Sequence, residues 1–306
     1  MADVTLIGNV NVDLIVRPIS ALPPPGSERE VEAIEIRAGG AAAIAGLTLA
    51  RLGVSARIVG CVGDDRFGRF LLEELEVAGL SVADVRVIEG TGSGVSIAFE
   101  APDRDRSFVT SLGSLARFDV ALVPDDALGA SFVFVGGYFL APRLRGDPTL
   151  RLLLAAKDRG ATTVLDTGWD PLGWPAETRV EIDRLLPAVD VFVPNADEAI
   201  GLTGSADLRA AAEAIAGRSG GRVAVKLGSE GCIAVDGDGS EHEIAAPRVE
   251  AWDATGAGDA FDAGLIAALL EGRSFPVALS FATRVGASVV ARPSSSRYPR
   301  RDELTD

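Results

Sequence analysis

The chain has 306 residues, 47% hydrophobic and 24% charged, enough to bury a large core, and one α/β domain or one domain with a small appendage would fit. With 44 acidic against 29 basic residues the formal net charge is −15, which argues against nonspecific binding to nucleic acid or to an anionic membrane surface. A small anionic ligand held in a local cradle stays compatible with that charge.

Met1-Ala2-Asp3 lacks the basic start of a secretory leader, and Val4 to Gly8 is too short for its apolar segment, so a cytoplasmic protein is expected. Val4 to Gly8 predicts a buried parallel strand and 11–16 a second extended piece. Pro23-Pro24-Pro25-Gly26 makes a stiff crossing, followed by an alternating strand at 31–37. Gly39-Gly40 opens an alanine-rich helix to Leu52, closed by Gly53; its apolar run, Ala38 to Ala50, is shorter than the ~20 residues a membrane helix needs. A strand at 57–62 and a helix at 67–78 follow. Short strands at 85–88, 94–100 and 107–111 are grouped with 11–16 and 31–37 in a small β-sheet lid, so that roughly 11–37 and 85–111 form an insertion in a single domain, 1–306.

From 132 onward strand and helix alternate: strands at 132–136, 163–166, 191–193 and 223–227, helices at 150–159, 180–186 and 208–217. A hairpin-like pair at 231–246 leads to two last helices, 257–271 and 275–291, and a loose tail is expected from Arg292 to Asp306. The alternation predicts an α/β fold with a doubly wound, mainly parallel sheet, whose ligands sit beyond the carboxyl ends of the strands. Cys61 and Cys232 lie in apolar runs and read as small buried hydrophobes, while His242 stands between Glu241 and Glu243 on a solvated strand edge. With one histidine and two cysteines, a Cys/His zinc site is excluded and a Ser-His-Asp hydrolase has little to stand on.

The run from Asp253 through Thr255, Gly256, Ala257, Gly258 and Asp259 to Phe261 opens a helix, because Phe261, Leu265, Ala268 and Leu269 recur at helical spacing. Gly256, Ala257 and Gly258 carry almost no side chain where the first turn leaves its N–H groups unpaired, which makes an anion site. Asp259 stands beside it, placed to take a proton from an incoming hydroxyl. A phosphate cradle next to a base is the minimum for phosphoryl transfer to an alcohol. Glycines before a helix also make plain turns, and an acid in a first turn offsets the dipole. The full run is more specific: it resembles the C-terminal signature of the PfkB, or ribokinase-like, carbohydrate kinases.

Other blocks carry the same resemblance, from residue 4 to about residue 291. Gly39-Gly40 and Leu52-Gly53 are similar to the ends of the family's N-terminal signature, and Val59 to Gly68 to its next block. The resemblance implies a substrate site of Asn11, Asp13, Gly39, Gly40 and the lid arginine Arg106, since a carboxylate accepts two vicinal hydroxyls well. Taken alone, Asp13 is a strand-end residue and Arg106 an exposed strand arginine. Asn195-Ala196-Asp197-Glu198 resembles the family's Asn-x-x-Glu element, which implies Asn195 at the nucleotide and Glu198 at Mg²⁺. The same spacing makes a helix capping box, and both hold if the cap fixes Glu198 near a hydrated ion. Lys226, Gly228 and Gly231, by themselves a strand and a tight turn, would line the nucleotide with Thr255 nearby. Asp253 and Thr255 match positions that help hold a monovalent cation in some members, with carbonyls from Val289 to Ser294, so K⁺ activation is expected. ATP and Mg²⁺ follow as cofactors, and a homodimer through the lid is expected because its sheet would leave an open edge and an apolar face.

Two departures bear on the acceptor. Ala41, Ala42, Ala43 and Ile44 stand where most sugar kinases of the family carry polar, sugar-binding residues, and each such hydrogen bond is worth about 0.5–3 kcal/mol. An apolar helix face there would suit a nucleoside or a deoxy sugar. Asp170 lies where some sugar-acid kinases carry an arginine and would repel an acid; Phe99, Phe108 and Tyr138 are further candidate contacts. The leading reading is an ATP-dependent kinase that phosphorylates a hydroxymethyl group of a sugar. A nucleoside kinase is the alternative, followed by a ligand-binding protein that kept the fold and lost catalysis, and a plain nucleotide hydrolase.

Overall fold

The computed structural model describes residues 2–101 and 104–304. In chain order the strands are β1 (Val4–Gly8), β2 (Asn11–Arg17), β3 (Ala33–Gly39), β4 (Ala56–Gly63), β5 (Val85–Ile88), β6 (Gly94–Ala101), β7 (Arg104–Ser111), β8 (Phe132–Gly136), β9 (Thr162–Asp166), β10 (Val191–Phe192), β11 (Arg222–Lys226), β12 (Gly231–Val235) and β13 (Glu241–Ala245). The helices are α1 (Ala41–Arg51), α2 (Arg66–Val77), α3 (Asp147–Asp158), α4 (Ala176–Leu185), α5 (Ala196–Thr203), α6 (Leu208–Ser219), α7 (Ala257–Leu270) and α8 (Phe275–Val290).

Strands that read as unbroken apolar runs have to be covered on both faces, and they are. Leu6, Phe134 and Val164 pack under α1, α7 and α8, while Ile7, Val133, Val135 and Leu165 pack under α3 to α6. The main sheet runs β13-β12-β11-β10-β9-β8-β1-β4-β5, parallel from β11 to β5 and antiparallel at the β12–β13 edge. Crossovers reverse direction at β1, so a crevice opens beyond the carboxyl ends of β1 and β8. Gly8 ends β1 there, and a Cβ on it would fall 2.2 Å from the Gly136 carbonyl oxygen.

The smaller sheet, in the order β3-β2-β6-β7, is the lid. Its β2–β6 pair is parallel and the outer pairs are antiparallel. Register puts Asp13, Arg37, Ser96 and Thr110 in one row on the cleft side. Leu14, Ile36, Ile97 and Val109 form a row on the other side, where Ile34, Ile36 and Val109 are exposed.

Two expectations are corrected. Residues 85–88 do not join the lid; β5 pairs with β4 at the edge of the main sheet. The tail is not loose over its described part: Arg297 is buried, and Tyr298 and Leu304 pack against the core. Among the described residues no helix is long and apolar enough to cross a membrane. Because the atom opposing Gly8 is backbone, Gly8→Ala should lower stability by about 1–3 kcal/mol in urea denaturation. An unchanged midpoint would mean that β1 and β8 part more easily than their geometry requires.

Candidate active site

The carboxyl ends of the parallel strands deliver most of the polar side chains. Asn9 follows β1, Asp166 ends β9, Asn195 follows β10 and Lys226 ends β11. Asn9 was not singled out in the sequence, although a polar residue just past a buried strand is a signal. It starts a buried relay: the Ala41 amide donates to Asn9 Oδ1 (2.9 Å), Asn9 Nδ2 to Asn11 Oδ1 (2.8 Å), and Asn11 Nδ2 to Asp13 Oδ1 (2.8 Å). The Gly39-Gly40 pair makes room for this relay. A Cβ on Gly39 would lie 2.2 Å from the Asp13 carboxyl carbon; Gly40, at φ +94°, could carry one only 2.4 Å from Asn9 O. Burial pushes Asp13 up to about 6, against the pull of the Arg37 guanidinium.

Opposite Asp13 stands the first turn of α7. Gly256 caps it at φ +76°, where a Cβ would meet Ile44 Cδ1 at 2.8 Å. The Ala257 amide closes a turn onto Ala254 O (3.2 Å), so the open donors of the turn are the amides of Gly258 and Asp259. Asp259 is half-buried, and burial together with the Asp166 carboxylate pushes it up to about 7, against the pull of Lys226; Asp13 adds to the rise.

Beneath this turn lies a cluster that the sequence reveals only in part. Carboxylate oxygens of Asp166, Asp259 and Asp262 lie within 4.8 Å of one another. Lys226 Nζ donates to Asp166 Oδ2 (2.7 Å) and to Asp262 Oδ1 (3.0 Å). Burial works against the Lys226 ammonium, but the Asp166 and Asp262 carboxylates outweigh it and hold the ammonium well above its usual range. Burial raises Asp262 well above the carboxylate range, while in Asp166 the same penalty is overcome by Lys226 and the net shift is downward. Lys226 thus meets the cleft with its side chain committed to carboxylates.

Asn195 and Glu198 form the capping box that their spacing predicts: Glu198 N donates to Asn195 Oδ1 (2.9 Å), and Asn195 N to Glu198 Oε2 (2.9 Å). Burial, then Asp166, pushes Glu198 up to about 8. Glu198, Asp166, Asp259 and Asp262 set four carboxylates against the Lys226 ammonium. A cation would relieve the repulsion that helps raise these groups, and the surplus of oxygen ligands fits a hydrated Mg²⁺.

Several predicted positions sit otherwise. Asp253 is not open to a metal: Arg37 and Arg297 (3.2 Å) bond its Oδ2, with Arg17 at 3.8 Å and Arg106 at 3.9 Å. Thr255 turns its groups the same way, its amide to Asp253 Oδ1 (2.7 Å) and its hydroxyl oxygen to Arg106 (2.9 Å). Arg106 therefore ties the lid to the body. Gly231, at φ +108°, answers to close packing, since a Cβ would fall 1.9 Å from Ile244 O; Gly228, at φ +60°, has open space around it. Asp170 is buried and accepts the amides of Leu172 and Trp174, both at 3.0 Å, so it repels no acid in the cleft. Ala41 to Ile44 are buried in packing and offer no open apolar face to an acceptor. Tyr138 is pinned between Glu181 and the Gly146 amide, and Phe99 lies on the outer side of the lid; Phe108 is exposed on the cleft side.

Comparison with known proteins decides the family. Residues 1–301 match the pfkB family carbohydrate kinases. The chain belongs to that family. It is 26% identical to a ribokinase of Haemophilus influenzae over 99% of this chain and 97% of the relative. It is 28% identical to an aminoimidazole riboside kinase of Salmonella typhimurium over 99% and 94%. A putative ribokinase II from E. coli, solved in complex with ATP and Mg²⁺, shares the fold at a TM-score of 0.82 and 22% identity, over 100% of this chain and 96% of that one. The PfkB kinase described here is an ATP-dependent phosphotransferase with a sugar hydroxyl as acceptor.

Lys226 generates the prediction for this site. Lys226→Met leaves the Asp166–Asp262 pair, with Asp166 ionised, buried without its counter-charge and should cost about 3–5 kcal/mol in urea denaturation. Adding Asp262→Asn should restore part of that loss. Wild-type stability in the single variant would show that the cluster is hydrated.

Proposed function

We propose that this kinase transfers the γ-phosphate of ATP to a hydroxymethyl group of a free sugar, with Asp259 as general base. The observation that carries the reading is the position of Asp259, in the first turn of α7, under the influence of both Asp13 and the Asp166 carboxylate. Asn11 and Asp13 hold vicinal hydroxyls of the sugar, and Gly39 and Gly40 let the ring approach the backbone. Asp259 accepts the proton as the hydroxyl oxygen attacks phosphorus. The open amides of Gly258 and Asp259 stabilise charge on the transferring group. Glu198 and Asp166 would hold the Mg²⁺ that accompanies ATP, beside Asn195 at the nucleotide, and the ion would neutralise charge on the phosphates. Gly228 leaves the turn after β11 bare for the nucleotide.

A nucleoside acceptor is the second reading, kept by the 28% identity to a riboside kinase. Its sequence argument is weakened, since Ala41 to Ile44 pack into the core. A lapsed binding protein is disfavoured by the intact base and anion turn. A turnover screen of pentoses, hexoses and nucleosides with Mg-ATP separates the readings; nucleosides alone being phosphorylated would reverse the order.

We also infer a homodimer through the outer face of the lid, where Ile34, Ile36 and Val109 are 63%, 53% and 59% exposed. Sedimentation at micromolar concentration should show a dimer that Ile36→Asp splits. A wild-type monomer under those conditions would end this inference.

The base generates a pH prediction. A general base works ionised, and Asp259 is raised to about 7, so kcat/KM should fall about tenfold per unit below pH 7 and level off above it. Asp259→Asn should keep its thermal shift with Mg-ADP and lose about 10²–10⁴-fold in transfer. A profile flat down to pH 5, or near wild-type turnover in the variant, would remove Asp259 from the role.

A further inference from the structure

The family resemblance places a monovalent cation against Asp253 and Thr255, and the structure brings those acceptors to one point behind the Gly256–Gly258 turn. A side chain of the chain's own tail already fills that point. Arg297 Nη1 lies 3.2 Å from Asp253 Oδ2, and its Nη2 lies 3.4 Å from Asp253 O and donates to Thr255 O. Arg297 is 5% exposed although it follows a Pro-Ser-Ser-Ser run. The Val290 carbonyl, in the segment that would complete a cation's shell, accepts the amides of Trp252 (2.9 Å) and Asp253 (3.1 Å). Arg37 takes the same Asp253 oxygen, with Arg17 and Arg106 within 4 Å of the carboxylate. An added K⁺ would find these acceptors committed and positive charge around them. The residues do not fit the ion.

We propose that the Arg297 guanidinium replaces the monovalent cation, so that this kinase is built to work without K⁺. A guanidinium can stand in for the ion because it stays charged and because its planar fork can bond a carboxylate oxygen and two carbonyl oxygens together. The carbonyls it holds belong to Asp253 and Thr255, the latter immediately before Gly256. By fixing them Arg297 fixes the direction of the turn whose amides face the phosphate. It touches neither substrate nor nucleotide and is a positioning residue. The inference does not depend on which acceptor is used.

The test begins with the full wild-type chain, unfolded by heat in potassium chloride and in tetramethylammonium chloride at equal ionic strength. Equal midpoints and equal rates of ADP formation from Mg-ATP are expected in the two salts. A higher midpoint or a several-fold faster rate in K⁺ would overturn the proposal. The midpoint comparison needs no acceptor, so an inactive preparation would count against the kinase reading and not against this one. Arg297→Ala empties the point between the acceptors. It should lose about 10²-fold in kcat through misplacement of the turn, with KM for ATP little changed. Potassium or free guanidinium chloride should then restore turnover and raise the midpoint. A folded Arg297→Ala protein that answers to neither would refute the proposal. If that variant does not fold, Arg297→Lys decides: it keeps the charge and loses the fork, and an unchanged kcat would be the refuting result.

Discussion

Lys226 is the constraint on which the catalytic side of the cleft depends. Its ammonium is buried at the end of β11, bonded to Asp166 on β9 and to Asp262 on α7. A lone buried charge of either sign costs several kcal/mol, so these three groups are stable only as a set. The set therefore locks two strands of the sheet to the helix that presents the anion turn. It also acts on Asp259, the proposed base: burial and Asp166 raise that carboxyl to about 7, where it accepts a proton more readily than one left near 4. Fold stability and the acidity of Asp259 thus depend on the same contacts.

A second buried charge centre does for the lid what Lys226 does for the sheet. Asp253 gathers Arg17 from β2, Arg37 from β3, Arg106 from β7 and Arg297 from the tail. Burial opposes the Asp253 carboxylate, but Arg297 and Arg37 outweigh it and hold the group well below the usual range. Asp13 lies in the same cleft-side row as Arg37, so the contacts that fasten the lid also place Asp13 opposite the anion turn. The two centres stand on either side of Gly256, one holding the carbonyls before it and the other the helix after it.

Much of this was legible because local chemistry and global role agree. The buried strands are apolar without alternation, the glycine turn precedes a helix of helical period, and Asn195 with Glu198 is a box in sequence and in space. What escaped depends on partners far along the chain. β5 has four residues with a single buried side chain, and only its register with β4 assigns it to the main sheet. Asp170 reads as a charge facing a ligand, yet it serves amides two and four residues on. Asp262 and Arg297 were passed over for the same reason: a charged residue is expected in water until its counter-charge is located, and theirs lie 36 and 44 residues upstream. Asn9 differs, since its position just past an apolar strand was visible and only its relay to Asp13 was not.

The chain's acidity bears on how phosphate is held. A protein of net charge −15 repels ATP at a distance, and the lysine nearest the anion turn, 3.5 Å from where a Gly258 Cβ would stand, is neutralised by carboxylates. Attraction at the turn must then come from fixed dipoles, the open amides and the end of α7, and from Mg²⁺ brought with the nucleotide. Dipoles act over short range and only when aimed, unlike a free ammonium that tolerates several ångströms of misplacement. Aim depends on the carbonyls and glycines around the turn more than on any charge facing the ligand. The buried Lys226 and Asp253 clusters accordingly lie behind the turn, where they hold its direction. In this arrangement the buried ion pairs keep the neutral donors of the turn still.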